Sequence, residues 1–513
     1  MNRKKTVKRI KTILSRMVVF ALILGTFSSL WFSLYYSGIV GFDAIVFYLN
    51  MPLEGTSHEF INSYILVALC PSVLIFAFIY AFAPKYSYYL AVKTSSKKIR
   101  IPLYPFRPSA AIARLLCFAW FIILFGAMGG ISFVKDQIER SNLIENEYVS
   151  PENVEITFPA QKRNLIWIYM ESAESSSQDK ANGGVFDVNF TPELTRIAKD
   201  NVSFSQSDLI EGAAIAPATG WTMAGLVAET AGLPLKLFAR GAINSMGEYS
   251  FFMPGAISLG EILEAQGYHN YFMAGSDFVF GGRMSYFTRH GNYEIFDYYS
   301  AIEEGKIPAD YYVWWGFEDA KLYSYAKEKL LKLASEEVPF NFSLLTVDTH
   351  HQDGYLCEIC PDIYEDQYAN VWACASSQID AFVKWIQQQD FYENTTIVIS
   401  GDHCSMDTDF YGDLTYDTYT SATTRKVYNA IINPAVSPVQ EKNRKFTTMD
   451  LFPTALASMG VTIDGNRLGL GTNLFSEEQT LSEKYGYETL FKELNKKSTF
   501  YDKNILYPSR ESG

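Results

Sequence analysis

Cysteine is scarce in this chain: there are six among 513 residues. That excludes a disulfide-dense scaffold. Cys357-Glu-Ile-Cys360 has no second Cys-x-x-Cys and no paired histidine nearby, so a structural zinc site is not completed by spacing. Cys70 and Cys117 fall inside hydrophobic runs and read as small apolar residues. Cys357, Cys360, Cys374 and Cys404 fall in the larger remainder of the chain. If that remainder is exported, a disulfide between two of Cys357, Cys360 and Cys374 is expected, with a pairing the sequence does not give. Histidine is also limited to six, and His58, His269 and His290 stand in no functional pattern. There is no internal repeat and no low-complexity tract.

Basic charge is missing from the stretch between the first two of three hydrophobic runs, and this sets a topology. The runs cover 17–37, 63–83 and 115–134. Each suffices to cross about 30 Å of hydrocarbon as a helix. Arg3, Lys4, Lys5, Lys8, Arg9, Lys11 and Arg16 precede the first run. Lys85, Lys93, Lys97, Lys98, Arg100, Arg107 and Arg114 lie between the second and third. The positive-inside rule puts both segments in the cytoplasm and everything after about residue 134 outside. A cleaved signal peptide is disfavoured, because two more runs follow and no small-residue cleavage site stands out. None of the runs carries an obvious buried charge, as a transporter would need, so they read as an anchor. The expected organisation is a membrane domain at 1–134, a linker at 135–161 and an extracytoplasmic domain at 162–513.

Residues 1–134 hold 14 Lys and Arg against three Asp and Glu, leaving 29 basic and 53 acidic residues for 135–513. An outer domain that acidic repels nucleic-acid phosphates and excludes a nucleic-acid partner. It also docks poorly on anionic lipid, so access to a bilayer has to come from the tether.

From Asn164 the pattern becomes α/β. Asn164–Met170 is a continuous apolar strand that runs into Glu171. Residues 341–347 form another, followed by Asp348-Thr349-His350-His351, and 395–400 a third, followed by Gly401-Asp402-His403-Cys404. Helical stretches are expected at 192–200, 258–266, 320–335 and 374–388. Buried strands alternating with helices imply a mainly parallel sheet covered on both faces. Ligands gather beyond the carboxyl ends of such strands, where all three of these carry polar residues.

Glu171, Asp402 and His403 then form a mixed oxygen and nitrogen set for Mn²⁺, Mg²⁺ or Zn²⁺. A nucleophile is offered by Pro217-Ala218-Thr219-Gly220-Trp221-Thr222-Met223-Ala224-Gly225, a turn that opens into a helix of small residues. Free N–H groups in a first helical turn hold phosphate, and a coordinated hydroxyl becomes nucleophilic. Thr219 and Thr222 compete: as N-cap, Thr219 would spend its oxygen on the backbone, leaving Thr222 free. Both threonines also serve simply as helix-start residues. His350 and His351 are candidates for contact with a phosphate or head group, and Arg283, in Phe280-Gly281-Gly282-Arg283, for a cation on phosphate oxygens. A solvated loop charge is the alternative for Arg283.

These residues resemble the sulfatase-like phosphoglycerol transferases of the alkaline-phosphatase superfamily, a group that includes lipoteichoic acid synthase and the enzyme that adds phosphoglycerol to periplasmic glucans. The resemblance runs from about residue 164 to 471. Tyr169-Met170-Glu171-Ser172 is similar to the family's metal-ligand strand end. Thr219 to Gly225, followed by Gly232-Leu233-Pro234, is similar to the glucan-type nucleophile turn. Thr346-Val347-Asp348-Thr349-His350-His351 is similar to the stretch supplying a substrate histidine, here His350. Gly401-Asp402-His403 resembles Ser-Asp-His, with Gly in place of Ser. Asp450-Leu451-Phe452-Pro453-Thr454 resembles a recurrent helix start. Gly220-Trp221-Thr222 matches the synthases' Gly-Lys-Thr spacing, which gives the nucleophile's place to Thr222, with Thr219 second. Three runs rather than five favour the glucan-type branch.

The resemblance implies a Mn²⁺ or Mg²⁺ enzyme of the cell (inner) membrane that takes phosphoglycerol from phosphatidylglycerol, releases diacylglycerol and passes the group to a glycan. A phosphoethanolamine transferase on the same fold is the close alternative. A sulfatase is disfavoured, since no Cys/Ser-x-Pro/Ala-x-Arg motif is present. A non-catalytic binding protein on this fold is disfavoured by the joint presence of Glu171, Thr222, Asp402 and His403.

Overall fold

The structure is a computed structural model that describes residues 2–35, 62–79, 88–93, 98–104, 110–127, 130–236, 252–411 and 425–506. The chain forms two compact units, Met1–Lys135 and Asp136–Gly513.

The first unit has a helix at Asn2–Tyr35, a π-helical turn at Ile65–Leu69 running into the helix Cys70–Ala77, a helix at Ala110–Ala127, and the start of the helix Gly130–Ile138, whose last three residues belong to the second unit. Within the basic segment, Tyr88–Lys93 pairs antiparallel with Lys98–Tyr104. The Trp31 ring meets Tyr64 edge-on at 5.0 Å and its Nε1 donates to Ser63 Oγ at 3.1 Å. Of the three hydrophobic runs, residues 36–37, 80–83 and 128–129 lie outside the described residues. Among the described residues no helix is long and apolar enough to cross a membrane.

The second unit is built on a six-stranded sheet in the order Glu294–Phe296, His269–Ala274, Phe340–Leu345, Asn164–Met170, Thr395–Gly401, Asn429–Ile432. All neighbours run parallel except the last, which is antiparallel to Thr395–Gly401. The central strands are apolar because both faces are covered. Leu165, Trp167 and Tyr169 face one core, with the helices Thr222–Ala231 and Leu451–Ser458. Ile166, Ile168 and Met170 face the other, with Pro192–Asp200, Asp319–Ala334 and Gln367–Ile386. This is the alternation of a pleated strand. Gln367–Ile386 starts seven residues before the sequence suggests, because the Asp366 side chain caps it by accepting from Ala369 N at 3.0 Å.

Residues 135–161 read as a linker in sequence, but from Asp136 on they belong to the second unit. Leu143 and Ile144 are buried, and Ile156–Thr157 pairs with Thr462–Ile463. Glu147 binds Arg467 at 3.0 Å and Lys484 at 2.7 Å and accepts from Tyr485 at 2.5 Å.

Two features position the strand ends. Gly225 lets the helix Thr222–Ala231 approach the strand end, since a Cβ there would lie 2.0 Å from the Asp402 carbonyl oxygen. Gly401 does the same beneath Ala173, whose carbonyl oxygen would lie 1.9 Å from a Cβ. Behind both turns, Glu174 and Arg425 are fully buried. Arg425 Nε donates to Glu174 Oε2 at 2.7 Å, and its Nη2 donates to the Ser405 carbonyl at 2.7 Å. Glu174 Oε1 accepts from Ser405 N at 3.0 Å. The pair thus ties the loop after Glu171 to the loop after His403.

Replacing Arg425 with Ala leaves the Glu174 carboxylate buried and unpaired. Urea unfolding should show a loss of about 3–5 kcal/mol; a change below about 1 kcal/mol would contradict the strut role. A second expectation concerns acid. Burial raises the Glu147 carboxyl, but Lys484, Tyr485 and Arg467 outweigh it and leave it below its usual 4.5. A lowered folded value means stability that is present above pH 4.5 and lost as pH falls through the folded value. Glu147→Gln should therefore flatten the fall of the unfolding midpoint below pH 4.5; an unchanged acid limb would contradict this.

Candidate functional site

The strand register builds the site. Met170 pairs with Gly401 and Tyr169 with Leu345. The next residues of each strand therefore emerge together at the carboxyl edge: Glu171, Asp402 and Thr346. Ser172 turns the chain away with a φ of 57°, a left-handed conformation rare outside glycine. Its N–H donates to Asp402 Oδ1 at 2.8 Å and its hydroxyl to Glu171 Oε1 at 2.8 Å. The backbone of Glu171 is fixed on both sides: its N–H donates to Thr346 Oγ1 at 2.9 Å and its carbonyl accepts from Thr349 Oγ1 at 2.5 Å.

Glu171, Asp402 and His403 are all buried, and one ligand atom of each lies within 4.8 Å of the others. His403 Nε2 is 3.2 Å from Glu171 Oε1 and 3.5 Å from Asp402 Oδ2. The other ring nitrogen, Nδ1, faces the Cys404 carbonyl at 2.8 Å. A carbonyl only accepts, so Nδ1 carries a proton and Nε2 is the nitrogen that faces the carboxylates.

Thr222 is the first residue of the helix Thr222–Ala231, with Trp221 as N-cap. Its half-buried hydroxyl donates to Glu171 Oε2 at 3.2 Å and lies 3.4 Å from His403 Nε2. Thr219 is fully buried, and its hydroxyl donates to the Ala216 carbonyl at 2.8 Å. The structure therefore gathers Glu171, Thr222, Asp402 and His403 around one point and leaves Thr219 in the turn behind. Two helical turns beyond Thr222, Glu229 accepts from Ser400 Oγ at 2.5 Å. Burial raises the Glu229 carboxyl well above its usual range.

A divalent cation fits this donor set. Asp402 Oδ2 is buried without a hydrogen-bond partner. Burial and the neighbouring Glu171 push the Asp402 carboxyl up to about 7. Burial opposes charge on His403, yet Asp402 and Glu171 lift it to about 10. Two carboxylates out of water thus draw positive charge to the point that Nε2 faces. Glu171, Asp402, His403 and Thr222 would hold the metal.

His350 and His351 stack on each other, ring centroids 4.6 Å apart, and Trp315 packs on His350 at 4.3 Å. Burial lowers His350, while the Glu171 carboxylate acts the other way. His350 is therefore neutral at neutral pH. Its Nδ1 donates to the His351 carbonyl at 2.7 Å, which leaves Nε2 as an acceptor. Arg283 is buried rather than solvated. It opens the helix Arg283–Arg289, lies over the rings of Phe278 and Phe280, and donates from Nη2 to the Asp277 carbonyl at 2.6 Å. Burial lowers its guanidinium to about 10 against the fields of Glu171 and Asp402.

Supporting residues without a signature in the sequence include Ser172, Glu174, Glu229 and Arg425. Thr346 and Thr349 flank the His350 motif and were within reach of it.

Over 336 residues the chain is 32% identical to phosphoglycerol transferase I of Escherichia coli (strain 55989 / EAEC), covering 64% of this chain and 41% of that protein. Over 259 residues it is 35% identical to phosphoglycerol transferase I of Escherichia fergusonii, covering 49% of this chain and 32% of that protein. The chain thus spans about two fifths or less of the curated relatives it matches. Among solved structures, the integral membrane protein lipooligosaccharide phosphoethanolamine transferase A from Neisseria meningitidis has a similar fold. Its TM-score is 0.51 at 11% identity, over 87% of this chain and 84% of that one. Residues 163–461 match the Sulfatase family, from the first central strand to the end of the outer core helices, and the chain belongs to that family.

Proposed function

We propose that the second unit transfers phosphoglycerol from phosphatidylglycerol to a glycan hydroxyl through a covalent intermediate on Thr222. One observation carries this: a half-buried hydroxyl at a helix start, 3.2 Å from Glu171 and 3.4 Å from His403. In the first step the Thr222 oxygen attacks phosphorus. The bond from phosphorus to the diacylglycerol oxygen breaks, and that oxygen takes up the proton that Thr222 gives off and leaves as diacylglycerol. The Thr222 proton departs along its hydrogen bond to Glu171 Oε2. First-turn N–H groups of the Thr222–Ala231 helix and the Arg283 guanidinium receive the phosphate oxygens. In the second step a glycan hydroxyl attacks the same phosphorus, the bond from phosphorus to the Thr222 oxygen breaks, and that oxygen takes up the proton the glycan hydroxyl gives off. Neutral His350 offers Nε2 as the acceptor for that hydroxyl's proton. A Mn²⁺ or Mg²⁺ ion held by Glu171, Thr222, Asp402 and His403 would lower the threonine pKa and offset the phosphate charge.

The first unit is proposed as a three-span anchor in the cell (inner) membrane, with the catalytic unit on the outer, periplasmic side. The distribution of Lys and Arg supports this. So do Met17, Leu66, Leu74, Leu115, Phe118 and Ile123, large apolar residues that are each more than half exposed. The relatives' names support phosphoglycerol as the group moved, and the absence of a Cys/Ser-x-Pro/Ala-x-Arg motif disfavours sulfate-ester hydrolysis. A phosphoethanolamine donor would use the same geometry, and the trapped adduct distinguishes the two.

With phosphatidylglycerol, mass spectrometry should find a glycerophosphoryl group on the peptide holding Thr219 and Thr222, together with free diacylglycerol. Thr222→Ala should lower turnover by roughly a thousandfold or more and abolish the adduct, whereas Thr219→Ala should keep both. An adduct that persists in Thr222→Ala refutes the assignment, and one formed only with phosphatidylethanolamine reassigns the donor. Removal of metal by a chelator should stop turnover, and Mn²⁺ or Mg²⁺ should restore it. Full turnover in the chelated enzyme would contradict the proposed metal site.

A further inference from the structure

Three sulfurs lie together outside the transfer site and take no part in it. Cys360 is bonded to Cys374. The buried Cys357 sulfur is 3.1 Å from Cys360 Sγ and 3.9 Å from Cys374 Sγ. Cys357 and Cys360 belong to the loop that follows His350 and His351, whereas Cys374 belongs to the helix Gln367–Ile386. The observed bridge therefore staples loop to helix. Gln378, one turn along that helix, donates from Nε2 to Cys374 Sγ at 3.3 Å. Cys360 N donates to the Cys357 carbonyl at 3.0 Å, and this turn draws the two loop sulfurs together. Among the described residues the metal-type grouping here stops at these three cysteines. A tetrahedral zinc site needs a fourth ligand.

We infer that Cys357, Cys360 and Cys374 form a thiol–disulfide exchange site that moves one bridge between a loop-to-helix position and a position within the loop. The Cys357 thiolate attacks Cys360 Sγ. The Cys357–Cys360 bond forms and the Cys360–Cys374 bond breaks. The electron pair leaves on Cys374, which takes up the proton that Cys357 gave off. One thiol and one disulfide stand on each side of the reaction, so no oxidant or reductant is consumed. Burial raises the Cys357 thiol above its ordinary range, and the N–H groups of Ile359 and Cys360 offset part of that. Exchange is accordingly slow rather than absent, because the thiolate is the attacking species. The consequence falls on the loop. With the bridge moved, the loop that runs into Gln367 loses its disulfide cross-link to the helix. The Tyr368 hydroxyl still holds the Thr349 carbonyl at 2.7 Å, directly before His350.

The test uses the full-length protein, isolated without reductant, alkylated in acid and digested without reduction. Wild type should yield both Cys360–Cys374 with alkylated Cys357 and Cys357–Cys360 with alkylated Cys374. Cys374→Ser should carry Cys357–Cys360, and Cys357→Ser only Cys360–Cys374. Hydrogen exchange across 352–366 should be faster in Cys374→Ser than in Cys357→Ser. The inference is overturned if Cys357 is the sole alkylated member of the trio in wild type, or if Cys374→Ser keeps two alkylated thiols. One zinc ion per chain with all three thiols reduced would overturn it equally. None of these readouts depends on transferase activity.

Discussion

Two carboxylates and one imidazole are forced together at the carboxyl edge of a buried parallel sheet, and most of the second unit follows from that constraint. Glu171 and Asp402 have nowhere else to go, because the strands before them are paired residue for residue from Asn164 to Met170. Each strand buries side chains on both faces, so a slip of register would cost core packing throughout. The sheet thereby holds like charges close in a dry place, at a free-energy cost that a proton or a metal ion relieves. Neighbouring groups shape what is accepted. His403 is oriented by the Cys404 carbonyl so that Nε2 faces the carboxylates, Ser172 N–H occupies Asp402 Oδ1, and the Thr222 hydroxyl bonds Glu171.

The framework behind these atoms is polar. The Glu174–Arg425 pair joins the two ligand loops from beneath. Glu229 links the Thr222 helix to Ser400, two residues ahead of Asp402. Such supports hold a cluster to the tolerance that in-line attack on phosphorus demands. Gly225 and Gly401 remove the side chains that would keep helix and loops apart.

Much of this was legible in the amino-acid order. The three central strands are apolar because they are covered on both sides, and the polar residues directly after them mark the edge where a site forms. The helix at Pro192–Asp200 coincides with its expected span, and the burial of Thr219 separates two threonines that the sequence left as competitors. Other features were not legible. The strands His269–Ala274, Glu294–Phe296 and Asn429–Ile432 lie toward the edges, and their short mixed runs lack the apolar signature. The segment after Asp136 looks like a polar linker, yet it folds because Leu143, Ile144 and Glu147 find partners more than three hundred residues away. Arg425 is one arginine among many until the fold sets it beside Glu174. The cysteine pairing depends on loop placement, which spacing does not encode.

The account rests on a single cation held by Glu171, Thr222, Asp402 and His403, and calorimetric titration of Mn²⁺ into metal-stripped full-length protein tests it most directly. It predicts one site per chain, weakened about a hundredfold or more in Asp402→Ala and in His403→Ala. Mn²⁺ binding of undiminished affinity in both variants would contradict it.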